Sequence, residues 1–351
     1  MHDTEFRLLN DFQRGFPLTP RPYADIAGQL GVTEADVIAA LRHLHKTGRV
    51  GRVGATVVPG RLGAATLAAM AVPEARIDEV AAFINDYREV NHNYEREHRY
   101  NLWFVITAPD QDRVDTVVRD VERRARCGRV LSLPMVEPYY VDVGFDLHAG
   151  TGGTPRPARA GPALPAYPVP YVPHAREAAL LAALQSGLPL AERPYAELGS
   201  RTGMSEEAVI ETLQRLLRER VISRLGVIVR HRELGYGANA MAVWDVPNTE
   251  VRAAGRRLAR HDFVTLCYRR LRHLPDWRYN LYGMIHGTSR ETVAAQIGEL
   301  NTRGGLAGYA SEVLFSRRRF KQCAARYVEE VERGRYRPHD RESAADRVSR
   351  L

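Results

Sequence analysis

Apolar positions recur along this chain with two periods, and the pair of patterns occurs twice. Residues 23–27 and 30–32 read as a short helix that ends at a glycine turn. Thr33 then caps a predicted helix over 34–46, in which Val37, Leu41 and Leu44 fall on one face. Residues 50–58 supply a wing. The first 60 or so residues therefore predict three short helices and a two-stranded wing, the winged helix-turn-helix pattern. Beyond them the pattern predicts a strand at 68–72, an amphipathic helix at 77–87 and paired strands at 90–96 and 102–107. A helix at 113–126 and a strand region at 131–141, broken by Pro134 and Pro138, complete a β-α-β-β-α-β order, which is ferredoxin-like.

The same series returns. Arg21-Pro22-Tyr23-Ala24 reappears 172 positions later as Arg193-Pro194-Tyr195-Ala196, and Val37, Leu41, Leu44, Arg52 and Gly54 reappear as Val209, Leu213, Leu216, Arg224 and Gly226. Ser205 caps a helix over 206–218, and elements follow at 239–246, 251–260, 264–270, 281–286, 290–300 and 312–315. A period this long marks a duplicated domain pair, not a solenoid unit of about 20–50 residues. The predicted class is α+β, a tandem duplication of winged helix-turn-helix plus ferredoxin-like domain. The expected divisions are 1–60 and 61–147 for the first copy, 174–232 and 233–330 for the second. A linker at 148–173, with seven prolines and four glycines, and a disordered tail at 331–351 are also expected.

Composition narrows the classes. In 351 residues no apolar run approaches the roughly 18 needed to cross a bilayer. The polar, acidic start and three scattered cysteines, Cys127, Cys267 and Cys323, predict a cytoplasmic protein with reduced thiols and no metal site. The net charge of +8 is uneven: residues 1–147 carry −3, 148–173 carry +2 and 174–351 carry +9. Only Lys46 and Lys321 among the 50 basic residues are lysine. Arginine's planar fork suits carboxylate or phosphate partners, although a codon bias gives the same count.

A winged helix joined to a ferredoxin-like domain resembles the Lrp/AsnC family of transcription regulators, and a sensing domain with DNA as partner is one reading. The third helices argue against it. Base-reading positions lie at their N-termini, and here these are Thr33-Glu34-Ala35-Asp36 and Ser205-Glu206-Glu207. DNA is not an expected partner.

The second reading is an enzyme. On a strand, His92, Tyr94 and Arg96 project to one face: a proton donor, a phenol and a fixed cation. At an offset of 174 they align with Leu266, Tyr268 and Arg270, so tyrosine and arginine persist and histidine does not. The second copy adds Arg269 and Arg272, and it places His231 and His286 where the first has Pro59 and Thr107. His92 with Arg96 and Tyr94 is the expected catalytic group, and His231, Tyr268, Arg269, Arg270, Arg272 and His286 are the expected substrate-binding set.

The segments HNYEREHRYNLW (92–103) and EPYYVDVGFDL (137–147) resemble the D-type half of siroheme decarboxylases. RHRELGYGANAM (230–241), LCYRR (266–270), LPDW (274–277), YNLYGMIHG (279–287) and LFSRRRFKQC (314–323) resemble the L-type half. The resemblance spans about residues 5–327 and implies a fused enzyme of heme d1 or alternative heme synthesis. Such enzymes remove carboxyl groups from the C12 and C18 acetates of siroheme, giving 12,18-didecarboxysiroheme and two CO2. It implies no added cofactor, since siroheme carries its own iron. The partners it allows are siroheme, further subunits of the family and a homo-oligomer.

Overall fold

The computed structural model describes residues 3–141, 144, 145, 147 and 169–328. Most of the expected linker and the whole expected tail at 331–351 lie outside these. The first copy runs α1 (Asp3–Asp11), α2 (Pro22–Leu30), α3 (Glu34–Lys46), β1 (Val50–Val57), β2 (Ala64–Met70), α4 (Ile77–Asp86), β3 (Val90–Arg96), β4 (Leu102–Ala108), α5 (Gln111–Ala125) and β5 (Leu131–Val141). The second runs α6 (Ala175–Gln185), α7 (Pro194–Thr202), α8 (Glu206–Arg218), β6 (Ile222–Val229), β7 (Ala238–Trp244), α9 (Val251–Leu258), β8 (Val264–Arg270), β9 (Leu281–Gly287), α10 (Arg290–Thr302) and β10 (Ser311–Gln322).

The caps act as expected. The Thr33 hydroxyl accepts from the Asp36 N–H and the Ser205 hydroxyl from the Ala208 N–H, each satisfying an orphan donor of the first turn. The acids beside these caps are engaged: Glu34 pairs with Arg21, and Glu206 with Arg193. Both arginines come from the repeated Arg-Pro-Tyr-Ala segment. The tyrosines of that segment cross between halves. Tyr23 donates to the Pro189 carbonyl (2.8 Å) and Tyr195 to the Pro17 carbonyl (2.7 Å).

One expectation fails here. Each copy supplies one wing strand, not two. β1 and β6 pair with each other, antiparallel, with Gly54 opposite Gly226. Pro59 and the left-handed Gly60 and Gly63 turn the chain into β2 before a second wing strand can form. The helices of both copies then share one core containing Leu8, Tyr23, Leu41, Leu180, Tyr195 and Leu213.

The ferredoxin-like units are not separate either. Their eight strands close into one barrel, ordered β10-β3-β4-β2-β5-β8-β9-β7. Each unit alone would leave two open edges, and closure with the other copy removes all four. Trp103, Leu131, Leu133, Met241, Tyr268, Tyr282 and Leu314 fill the interior. α4 and α5 pack outside the first copy's strands, α9 and α10 outside the second's. β10 extends seven residues past the predicted end at Phe315, and this extension pairs with β3, where Arg319 lies opposite Tyr94. β5 passes through Pro134 and Pro138 as one strand, with register shifts at Met135/Glu137 and Pro138/Tyr140.

The two seams carry reversed charges. On one, Arg318 of β10 lies opposite Glu95 and reaches Asp78 of α4 at 2.8 Å. On the other, Glu137 of β5 lies opposite Arg269 and meets Arg252 of α9 at 2.8 Å. Internal alignment pairs Arg318 with Glu137, Glu95 with Arg269 and Asp78 with Arg252. Two like halves would therefore bring acid against acid or arginine against arginine, so the seams specify unlike halves. Glu137 is buried although Arg252 is half exposed, so reversing its charge places a cation beside Arg252 and Arg269 in a site without solvent. Glu137→Arg is thus expected to lower the denaturation midpoint strongly, and Arg252→Glu added to it to recover part of the loss.

Candidate functional site

β3 enters the barrel with Asn93 and Glu95 outward and His92, Tyr94 and Arg96 on the opposite face. The His92 and Tyr94 rings lie nearly parallel, with centroids 6.2 Å apart, and the Arg96 guanidinium sits 5.8 Å from the Tyr94 ring centre. Asn91 orients the imidazole. Its Nδ2 donates to the Thr107 hydroxyl (2.6 Å), which turns Oδ1 to His92 Nδ1 at 2.5 Å. The proton then resides on Nδ1, and Nε2 becomes the position that takes and releases a proton.

Four guanidiniums surround this row. Arg96 is buried; it donates to the Leu314 carbonyl (3.1 Å), and burial pushes it down to about 10, still charged at neutral pH. Arg319 pairs with Glu233 at 2.7 Å and donates to Gln322 at 3.0 Å. Arg232 lies on a short 3-10 turn, His231–Leu234, and donates to Ser316, which is opposite Arg96. Arg52 arrives from β1, in the helical layer, and donates to the Ala55 carbonyl (3.3 Å). Gly54 is repeated as Gly226 because each strand is tightly approached: a Cβ on Gly54 would stand 2.9 Å from Arg52 Nε.

Arg52, Arg96 and Arg232 each bury an Nε that has no hydrogen-bond partner, and among the described residues no carboxylate pairs with any of the three. Arg61 and Arg270 also bury an unpartnered Nε, whereas Arg21, Arg76, Arg113, Arg193, Arg215 and Arg290 all meet acids. Burial, then the Arg52 charge, pull His92 from its ordinary 6.5 down to about 4. Burial raises the Tyr94 phenol above 10, partly offset by Arg96, Arg319 and Arg232. The group is cationic, with a neutral imidazole and a neutral phenol at its centre. Behind Arg52 lies a cavity of about 140 Å³ lined by Leu41, His45, Val53 and Leu188, room for a few waters and not for a tetrapyrrole.

The structure brings together His92, Tyr94 and Arg96 from the expected catalytic group, and it sets the turn begun by His231 beside them. The His231 side chain lies outside the described set. Arg270 and Tyr268 occupy the matching position in the other half. The Arg270 guanidinium is 4.5 Å from the Tyr268 ring centre and donates to the Leu133 carbonyl at 2.5 Å. Arg269 and Arg272 do not join them, which corrects the expected grouping. Arg269 projects to the opposite face and reaches Asn248 (3.2 Å). Arg272 binds Asp245 (2.9 and 2.5 Å) and the Arg278 carbonyl, closing the 271–280 connection at the far end of the barrel. His286 is bound to Thr265 at 2.8 Å. Sequence reasoning missed Arg52, Arg232, Arg319 and Asn91. Arg52 carried a signal in its repetition as Arg224, and Arg232 and Arg319 lie within the segments 230–241 and 314–323 that carry the resemblance.

Comparisons with known proteins identify the chain in two stages. An AsnC-like ligand binding domain matches residues 61–139 and again 233–321, so the barrel is a paired Lrp/AsnC-like module. The siroheme decarboxylase NirDL-like HTH domain matches 5–50 and 177–222. The siroheme decarboxylase NirDL subunit of Paracoccus denitrificans is 43% identical over 332 residues, covering 94% of this chain and 98% of that one. A siroheme decarboxylase of Hydrogenobacter thermophilus is 32% identical, covering 93% and 96%. The crystal structure of a siroheme decarboxylase NirDL in co-complex with an iron-uroporphyrin III analogue superposes with a TM-score of 0.65 at 28% identity, covering 93% of this chain and 94% of that one. The chain belongs to the siroheme decarboxylase family, a family of carboxy-lyases. No helix among the described residues is long and apolar enough to cross a membrane.

Proposed function

We propose that this protein decarboxylates siroheme at its C12 and C18 acetates, yielding 12,18-didecarboxysiroheme and two CO2 for heme d1 synthesis. The observation that carries the proposal is the set of guanidiniums around His92 without acidic partners. An unpaired buried cation is costly, and a ligand rich in carboxylates relieves that cost through charge-assisted hydrogen bonds. Siroheme, with eight carboxylates, is such a ligand.

The reaction needs little more. When the acetate carbon–carboxyl bond breaks, its electron pair stays on the methylene carbon and spreads into the macrocycle, so no added cofactor is required. One proton from His92 Nε2 completes the methyl group. The neutral His92 of the empty site is no obstacle, because the arriving carboxylates favour the imidazolium. Arginines suit the carboxylates that do not react, since gripping the departing one would stabilise the ground state. Tyr94 forms the wall on which the ring system packs.

A regulator's role is not favoured, because Glu34 and Glu206 stand at the base-reading ends of α3 and α8. The test is anaerobic incubation with siroheme followed by mass analysis. Loss of two CO2 is the expected result, and unaltered siroheme would refute the proposal. Retention on DNA at physiological salt would favour the regulator instead.

A further inference from the structure

The duplication provides an internal control, because every position around His92 has a two-fold related counterpart. Leu266 stands for His92. Pro138, opposite Tyr268, stands for Arg319, opposite Tyr94; Val141, opposite Leu266, stands for Gln322, opposite His92. The turn at 58–62 stands for the turn that bears Arg232. Its one arginine, Arg61, reaches the carbonyls of Val169 and Glu219 and lies 5.8 Å from the Tyr171 ring centre. Arg224 stands for Arg52, and it donates to the Gln13 carbonyl at 2.9 Å. Tyr268 and Arg270 repeat Tyr94 and Arg96, the unpartnered Nε included, whereas the repeated Arg224 is taken by a backbone carbonyl.

Among the described residues, His286 is the histidine on this side. His286 occupies the counterpart of Thr107, and its partner Thr265 that of Asn91. Phe145 covers it edge-on at 5.4 Å. Phe145 is itself fixed by Gln13, which donates to its carbonyl (2.6 Å) and accepts from its N–H (2.8 Å), and it packs against Tyr236 at 5.2 Å. Around Leu266 the structure therefore keeps Arg270 but bonds Arg224 to Gln13, and it has Pro138 in place of Arg319, no arginine in the place of Arg232 and a capped imidazole in place of Thr107.

We propose that one site, centred on His92, performs both decarboxylations in turn, and that the counterpart around Leu266 and His286 performs neither. This rests on the siroheme reading above. Each turn breaks one carbon–carboxyl bond, releases CO2 and moves one proton from His92 to the new methyl carbon. Solvent returns that proton before the second turn. Geometry adds a constraint. The C12 and C18 acetates lie on adjacent rings, with the propionates of those rings between them in mirror order. Rotation within the ring plane does not superpose them; turning the macrocycle over does. A macrocycle that must turn over has to leave the cationic row, so the monodecarboxylated intermediate passes through solution.

The test follows products of the full-length protein under anaerobic conditions. In wild type, free monodecarboxysiroheme is expected to rise before the doubly decarboxylated product, and added excess siroheme to delay its conversion. His92→Ala is expected to lose both CO2 releases, below about 1% of wild type for each, while still titrating siroheme. His92→Gln replaces it should the alanine variant misfold. His286→Gln is expected to keep both releases with the wild-type time course. One CO2 per siroheme from a folded His92 variant, or a stall after one CO2 in His286→Gln, would overturn the single site. Neither outcome would touch the siroheme reading, which fails only if wild type releases no CO2.

Discussion

His92→Ala is expected to slow CO2 release by about 10²–10⁴-fold, the usual contribution of a positioned acid, with little change in siroheme affinity. The separation follows from geometry. The cations that attract carboxylates are Arg52, Arg96, Arg232 and Arg319, and His92 is neutral in the empty site because burial and Arg52 hold it at about 4. Its charge appears only with substrate, so binding near neutral pH is expected to take up a proton in wild type and not in the variant. Calorimetry in buffers of different ionisation enthalpy measures that uptake. Stability gives an independent check. The folded value lies below the ordinary 6.5, so the unfolded chain protonates first as pH falls. His92 thus contributes no destabilisation above about 6.5 and an increasing one between about 6.5 and 4. Denaturation midpoints of wild type are expected to fall through that window more steeply than those of His92→Leu.

Arg52→Leu is expected to give the second large effect, a loss of siroheme affinity of about 10- to 150-fold, equivalent to the roughly 1.5–3 kcal/mol of a hydrogen bond to a charged group. Stability should move the other way. Arg52 is half-buried, lacks an acidic partner among the described residues and leaves a buried Nε without a hydrogen bond, so an apolar side chain of similar reach is neutral or stabilising there. The same replacement removes one of the two causes that depress His92, and its imidazole is expected to titrate above the wild-type value of about 4 by NMR. A tighter fold with weaker binding and a more basic histidine is a combination that a structural arginine would not produce. Equal affinity in the two proteins would remove Arg52 from the site.

The elements legible in the sequence are those set by local chemistry. Thr33 and Ser205 mark helix starts because a hydroxyl meets an orphan N–H, and His92, Tyr94 and Arg96 share a face because strands alternate. What was not legible depends on the other half of the chain. The wing at 50–58 reads as half of a hairpin, yet its partner is 172 positions away. The extension of β10 reads as a charged run, Ser316-Arg317-Arg318-Arg319, with no alternation of apolar residues. Its pairing is set by Glu95, Asp78 and Glu233, which lie far away in sequence. Arg269 and Arg272 looked like companions of Arg270 because sequence proximity does not reveal that Arg269 turns outward and Arg272 is taken by Asp245. The Arg-Pro-Tyr-Ala repeat announced itself at once, but its purpose, a tyrosine from each half bonded to the other, needed the fold.

Closure of the barrel also bears on how the chain is made. β3 and β5 are complete on the ribosome before any strand of the second half exists, and β10, which covers β3, ends at Gln322. At ~5–20 residues per second, roughly 6–26 s pass before β8 can cover β5 and roughly 10–40 s before all of β10 can cover β3. The edges of the first half bear the features that discourage pairing with another nascent chain: Glu95 on β3, and Pro134, Glu137 and Pro138 on β5. The acids that later select the second half thus guard the first while it is alone.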